Sequence, residues 1–149
     1  KNLANENAER DHFFHIGRSV YSPVAYENAL KLKEVTYVHA EGVSAGFFKH
    51  GTLSLIDQRF LTFAHLPSPN EQDLYHLTKS NISEIKARNG TVVTVGHDHT
   101  CDIQLPDVSK SLNPLLHLGV GQYFAYFLAV RLNRNVDKPR SLAKSVTVR

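Results

Sequence analysis

His12-Phe-Phe-His-Ile-Gly17, with Pro23 shortly after it, is the stretch that decides the fold. A short apolar run closed by glycine has the form of a buried parallel strand, covered on both faces. Pro23 then opens a helix well, because the N–H that proline lacks has no partner in a first turn. That helix is expected to run to about His39, with Val24, Leu30 and Tyr37 among its apolar positions. The alternation continues downstream. A shorter helix is expected from Ala45 to about Leu55, weakened by Gly51. Phe60-Leu-Thr-Phe-Ala-His-Leu66 reads as the next strand, closed by Pro67 and Pro69. Glu71 to about Arg88 reads as an amphipathic helix with Leu74, Leu77, Ile82 and Ile85 inward and Asn89-Gly90 as its stop. Thr91-Val-Val-Thr-Val-Gly96 and Ile103-Gln-Leu105 are the remaining strands, and Pro114 to about Leu132 is the last long helix. Residues 1–11 are polar and read as a linker or the tail of an earlier helix.

Strands alternating with helices of this length imply βαβ units and a parallel sheet. Right-handed crossovers then put helices on both faces. The expected fold class is α/β, a three-layer α/β/α doubly wound parallel sheet of flavodoxin-like form. At 149 residues the chain is one domain by size, long enough to bury one core. No internal repeat or low-complexity tract interrupts it.

The composition, 42% hydrophobic, fits a soluble globular protein, and no apolar run approaches a membrane span. The N-terminus lacks a signal peptide's layout. Cys101 stands alone, so no intramolecular disulfide can form, and a cytoplasmic location is expected. The net charge of +3 is carried by scattered lysines and arginines. That pattern favours an anionic small molecule as partner over nucleic acid. The chain begins at Lys1 and has no methionine, so it is expected to be a piece of something longer.

Two motifs carry the chemistry. The segment Ala29-Leu-Lys-Leu-Lys-Glu-Val-Thr-Tyr-Val-His-Ala-Glu-Gly-Val-Ser-Ala-Gly-Phe-Phe-Lys-His-Gly51 sets several charged and imidazole groups into a stretch apolar enough to be core. The tail Asp137-Lys-Pro-Arg-Ser-Leu-Ala-Lys-Ser-Val-Thr-Val148 carries a turn and then Lys144 among small and β-branched residues. Such a tail can fold back, and a lysine that leaves water can form a Schiff base with a carbonyl substrate. A solvated basic tail is the plain alternative.

Together the motifs closely resemble the end of the isomerase domain of glucosamine-6-phosphate synthases (glutamine:fructose-6-phosphate amidotransferases), which are SIS-domain proteins. Family members read much like ALKLKE-(I/V)-(S/T)-Y-(I/V)-H-A-E, then A-G-E-L-K-H-G, and end in D-x-P-R-N-L-A-K-S-V-T-V. The resemblance runs from about His12 to the end, and it agrees with the flavodoxin-like SIS fold. It divides the chain into a linker from a preceding lobe at 1–11, a SIS lobe at 12–132 and a catalytic tail at 133–149. It implies conversion of fructose 6-phosphate and glutamine into glucosamine 6-phosphate and glutamate, without a cofactor or metal. A homodimer is implied, together with a preceding SIS lobe holding the sugar-phosphate cradle and a glutaminase domain, neither of which lies in these residues.

Converting a ketose phosphate to an aldose phosphate needs ring opening and a proton moved between C1 and C2 by one carboxylate. Positioned acid–base groups contribute about two to four orders of magnitude to such a step. By resemblance Glu34 is the proton shuttle, His50 opens the ring in the neighbouring subunit's site, and Lys144 holds the open chain. Lys31 and Ala143 match substrate-binding positions. Spacing alone allows Glu34 to be no more than the partner of Lys31. Phe47 replaces an acidic residue of the family pattern, and Arg149 replaces a terminal glutamate. His97-Asp98-His99 has metal-ligand residue types, yet three such neighbours rarely close a tetrahedron without distant help. The Gly17-Arg18-Ser19 loop is a further candidate for anion binding at a helix N-terminus. Other readings are another SIS sugar-phosphate isomerase or deglycase, or a non-catalytic module that binds a sugar phosphate.

Overall fold

The computed structural model describes residues 1–140. Five strands form one all-parallel sheet in the order β2-β1-β3-β4-β5. They are β1 (His12–Gly17), β2 (His39–Ser44), β3 (Phe60–His65), β4 (Thr91–Gly96) and β5 (Ile103–Gln104). The helices are α1 (Asn2–Glu6), α2 (Tyr21–Thr36), α3 (Ala45–Phe48), α4 (Gln72–Lys86) and α5 (Asn113–Arg131), with a 3-10 turn at Thr52–Leu55. This is the expected flavodoxin-like, doubly wound α/β/α fold.

Side-chain alternation along the strands sorts the core into two layers. Phe13, Leu61, Phe63, Val93 and Val95 meet Ala29 and Leu32 of α2 and Phe124 and Leu128 of α5. Phe14, Ile16 and Ala64 point the other way, onto Phe48 of α3, Leu53 of the 3-10 turn and Tyr75, Ile82 and Ile85 of α4. Each large side chain buried this way contributes roughly 1.5–3 kcal/mol. The layer between α2 and α5 is tight. A Cβ at Gly121 would fall 2.1 Å from the Asn28 side chain, so only glycine lets the helices approach this closely.

The structure moves several expected boundaries. Helix α2 stops at Thr36, not near His39, because Tyr37 takes the left-handed conformation (φ 65°) and its N–H caps the Lys33 carbonyl at 3.1 Å. The residues after it form the edge strand β2, which was not expected. His39 and Glu41 face solvent while Ala40 is buried, so the run looks too polar for a strand until β1 pairs with it. The helix expected from Ala45 to Leu55 splits at Lys49-His50-Gly51 into α3 and the 3-10 turn. In α4, Leu77 is 49% exposed, and Tyr75 and Thr78 take the inward positions. Leu30 likewise lies largely outside the core. Residues 1–11 are packed on the lobe. Ala4 is buried, and Arg10 reaches the Gln58 carbonyl at 2.6 Å and Thr91 Oγ1 at 3.4 Å.

Candidate active site

Glu34 lies in the last turn of α2, on the same face as Glu27 and Lys31. Lys31 Nζ donates to Glu34 Oε2 at 2.6 Å and lies 3.5 Å from Glu27 Oε1. Both side chains are partly sheltered, and the hydrogen bond to Glu34 is the chief reason the Lys31 pKa is raised. The pair therefore fixes the Glu34 carboxylate beside a persistent cation. Leu30, Lys33, Glu34, Tyr37, Val38, His39 and Arg140 line one open depression at this end of the sheet.

The start of the tail completes that depression. After α5, Asn133 turns into the left-handed region and the Arg134 N–H closes on the Ala129 carbonyl at 2.8 Å, a C-terminal cap. Asn135 Oδ1 accepts the N–H groups of Asp137 and Lys138, both at 3.0 Å, which tightens the next turn. The chain then reaches α2, where the Arg140 N–H donates to Tyr37 Oη at 2.8 Å. The Arg140 guanidinium sits 4.2 Å from the centre of the Tyr37 ring, and that of Arg134 sits 5.3 Å away. Ala143 and Lys144 lie outside the described residues.

His50 is elsewhere. It is exposed in the turn after α3, and its N–H donates to the Phe47 carbonyl at 2.9 Å. The Phe47 ring is 73% exposed beside it. Glu34 precedes β2 and His50 follows it, and a strand of this length spans roughly 17 Å at about 3.3 Å per residue. One chain thus brings Lys31 and Glu34 together and leaves His50 at the opposite end of the sheet.

That opposite end, at the carboxyl ends of the strands, is where ligands of doubly wound sheets ordinarily bind, next to the switch between β1 and β3. Here it holds a buried imidazole chain that the sequence reading missed. Asn28 Nδ2 donates to His65 Nε2 at 3.3 Å and to the His117 carbonyl at 3.1 Å. With His65 Nε2 accepting from Asn28, the His65 proton sits on Nδ1, which faces His117 Nδ1 at 3.3 Å, while His15 Nδ1 lies 3.2 Å from His65 Nε2. All three rings are neutral in this pattern. Burial lowers the pKa of His15 to about 3 and that of His117 to about 2, and it lowers His65 as well. Tyr21 packs edge-on to His117 and donates to Glu71 Oε2 at 3.2 Å, while Lys110 pairs with Glu71 Oε1 at 3.3 Å. One hint lay in the sequence: His15 and His65 each sit in an otherwise apolar strand run.

His97, Asp98 and His99 diverge. His97 is turned inward, Asp98 is held by the Tyr75 hydroxyl and by Lys79 at 3.6 Å, and His99 points into solvent. Among the described residues no group of three His, Cys, Asp or Glu side chains is placed to hold a metal ion. The Gly17-Arg18-Ser19 loop precedes α2, and Arg18 is turned onto Asn81 Oδ1 at 2.8 Å.

The sheet order and the covering helices make this a flavodoxin-like α/β lobe. More narrowly, the SIS domain model matches residues 8–104, and the chain belongs to that family. Over 98% of its length it is 44% identical to glutamine–fructose-6-phosphate aminotransferase [isomerizing] of Methanococcus maripaludis, of which it spans 24%. Among solved structures, the C-terminal domain of glucosamine-fructose-6-phosphate aminotransferase from Francisella tularensis matches 92% of this chain and 40% of that one. Its TM-score is 0.79, at 29% identity. Glucosamine-6-phosphate deaminase from Thermotoga maritima matches 97% of this chain and 45% of that one, with a TM-score of 0.73 at 27% identity. No helix among the described residues is long and apolar enough to cross a membrane.

Proposed function

We propose that this chain is the second lobe of the isomerase domain of a glutamine–fructose-6-phosphate aminotransferase. In the assembled enzyme Glu34 moves the proton between C1 and C2 of the opened fructose 6-phosphate, and Lys31 holds its carboxylate. Lys144 traps the open-chain ketose as an imine, with Ala143 contacting the sugar, and His50 opens the ring in a partner subunit's site. The observation that carries this reading is the sharing of one depression by Glu34 and Arg140, the last described residue before that lysine. Lys144 is four positions beyond Arg140, a reach of at most ~14 Å at about 3.3–3.6 Å per residue.

The separation of His50 from Glu34 supports a homodimer in which each site takes one group from each subunit. Leu115, Tyr123, Tyr126 and Val130 of α5 and Tyr26 of α2 are exposed, an apolar surface suited to being covered by the preceding lobe. The cytoplasm is the compartment of this reading, and the partners are the sugar phosphates, the preceding SIS lobe and a glutaminase domain, with no nucleic acid, membrane or cofactor. The likeness to the deaminase supports a second reading as another SIS sugar-phosphate isomerase or deglycase. The higher identity to the aminotransferase over nearly the whole chain favours the first. A non-catalytic sensor would need no proton shuttle.

The test is covalent. Borohydride added to the full-length enzyme with fructose 6-phosphate should label Lys144. Lys144→Arg keeps the charge but forms no imine at neutral pH, so it should lose both the label and most synthesis of glucosamine 6-phosphate. An unlabelled Lys144 together with a fully active Lys144→Arg variant would overturn the Schiff-base role.

A further inference from the structure

We infer that Tyr37 is a positioning residue that docks the tail, fixing where Lys144 enters the site; the functional half of this inference rests on the reading above. Tyr37 occupies the first position after α2 with φ 65°. Glycine takes this conformation without strain and is the usual residue there, whereas a bulky side chain is uncommon. Capping the helix requires only the Tyr37 backbone, so the choice of tyrosine needs another reason.

The side chain supplies one. Its hydroxyl accepts the Arg140 N–H at 2.8 Å, and its ring carries the Arg140 guanidinium at 4.2 Å and that of Arg134 at 5.3 Å. Tyr37 therefore holds both ends of the segment from Arg134 to Arg140 by different interactions. The hydroxyl grips backbone, which sets the path of the chain, and the ring grips charge, which sets its orientation. The left-handed turn is what swings the ring out from the end of α2 toward the tail. Between the two arginines, Asn135 tightens the turn through Asp137 and Lys138, so little slack remains. The same residue lines the depression that holds Glu34, which couples the tail's path to the carboxylate.

Two substitutions in the full-length enzyme separate the components. Tyr37→Phe removes the acceptor for the Arg140 N–H and keeps the ring, and should lower kcat/KM for fructose 6-phosphate about fivefold. Tyr37→Ala removes both and should lower it about thirtyfold or more, with slower borohydride labelling of Lys144. Glutamine hydrolysis should be unchanged in both, and the smaller loss in Tyr37→Phe is the conservative rescue. Trypsin cleavage of the Arg140–Ser141 bond should accelerate in the order wild type, Tyr37→Phe, Tyr37→Ala. That arm needs no assumption about the reaction. An unlabelled Lys144 in the wild type would count against the imine reading, while faster cleavage in the variants would still support docking by Tyr37. Cleavage and kcat/KM both within twofold of wild type in Tyr37→Ala would overturn the inference. If Tyr37→Ala does not fold, the same two measurements on Tyr37→Phe decide it: unchanged values overturn docking through the hydroxyl, and the expected shifts support it.

Discussion

The two ends of the sheet are built on opposite plans. At the carboxyl ends of β1 and β3, the ordinary ligand position of this fold, the space is filled by His15, His65, His117 and Tyr21, all fully buried. Glu71, its side chain 6% exposed, accepts the Tyr21 hydroxyl beside them. At the other end, beside the last turn of α2, Lys33, Glu34, Tyr37 and Arg140 line an open depression. A phosphate ester entering the first end would meet a buried carboxylate and neutral imidazoles, and the cations there, Lys110 and Arg18, are already engaged by Glu71 and Asn81. Fold class predicts the first end as the site; the placement of charge favours the second.

The comparison can be broken most forcefully with acid. The imidazoles of the filled end are neutral when folded, with His65, His97, Tyr21 and Asn28 facing His117 and, among the described residues, no carboxylate bonded to any of the three rings. In the unfolded chain each would take up a proton below about pH 6.5, so the unfolded state gains protons and stability falls as pH falls. The loss is roughly 1.4 kcal/mol per pH unit for each histidine, continuing down to about pH 3 for His15 and about pH 2 for His117. Chemical denaturation of the 149-residue chain, followed by circular dichroism between pH 7 and 4.5, should show a loss of several kcal/mol. A flat profile would mean that the imidazole chain is charged and solvated.

A smaller effect sharpens the contrast. Lys110 is exposed and pairs with Glu71 over the filled end. Lys110→Ala should cost about 1 kcal/mol or less in stability and leave synthesis by the full-length enzyme within twofold. A large loss of turnover would move the chemistry to the carboxyl ends of the strands.

The central strands and the long helices were legible in the sequence because the strands are short apolar runs closed by glycine or proline, and the helices between them carry proline starts or an Asn-Gly stop. The edge strand His39–Ser44 was not, since its exposed His39 and Glu41 and its Gly42 leave too little apolar sequence to mark a strand, and its hydrogen bonds come from β1. The end of α2 was missed for a related reason: Tyr37 continues the apolar pattern while its backbone leaves the helix. Glu34, Lys31, His50 and Lys144 were readable as types through two motifs about a hundred residues apart. Spacing along the chain carried no information that His50 falls at the far end of β2. Nor could it show that Tyr37 meets Arg134 and Arg140, a contact between segments 103 positions apart at its hydrogen bond.

Glu34 is the group proposed to move the proton. Glu34→Gln in the full-length enzyme keeps the shape and the hydrogen bonding to Lys31 and removes only the base. Conversion of fructose 6-phosphate to the aldose should fall by about two orders of magnitude or more, while glutamine hydrolysis, chemistry of another domain, continues at its normal rate. Isomerisation at the wild-type rate would contradict the account and leave Glu34 as the ion-pair partner of Lys31.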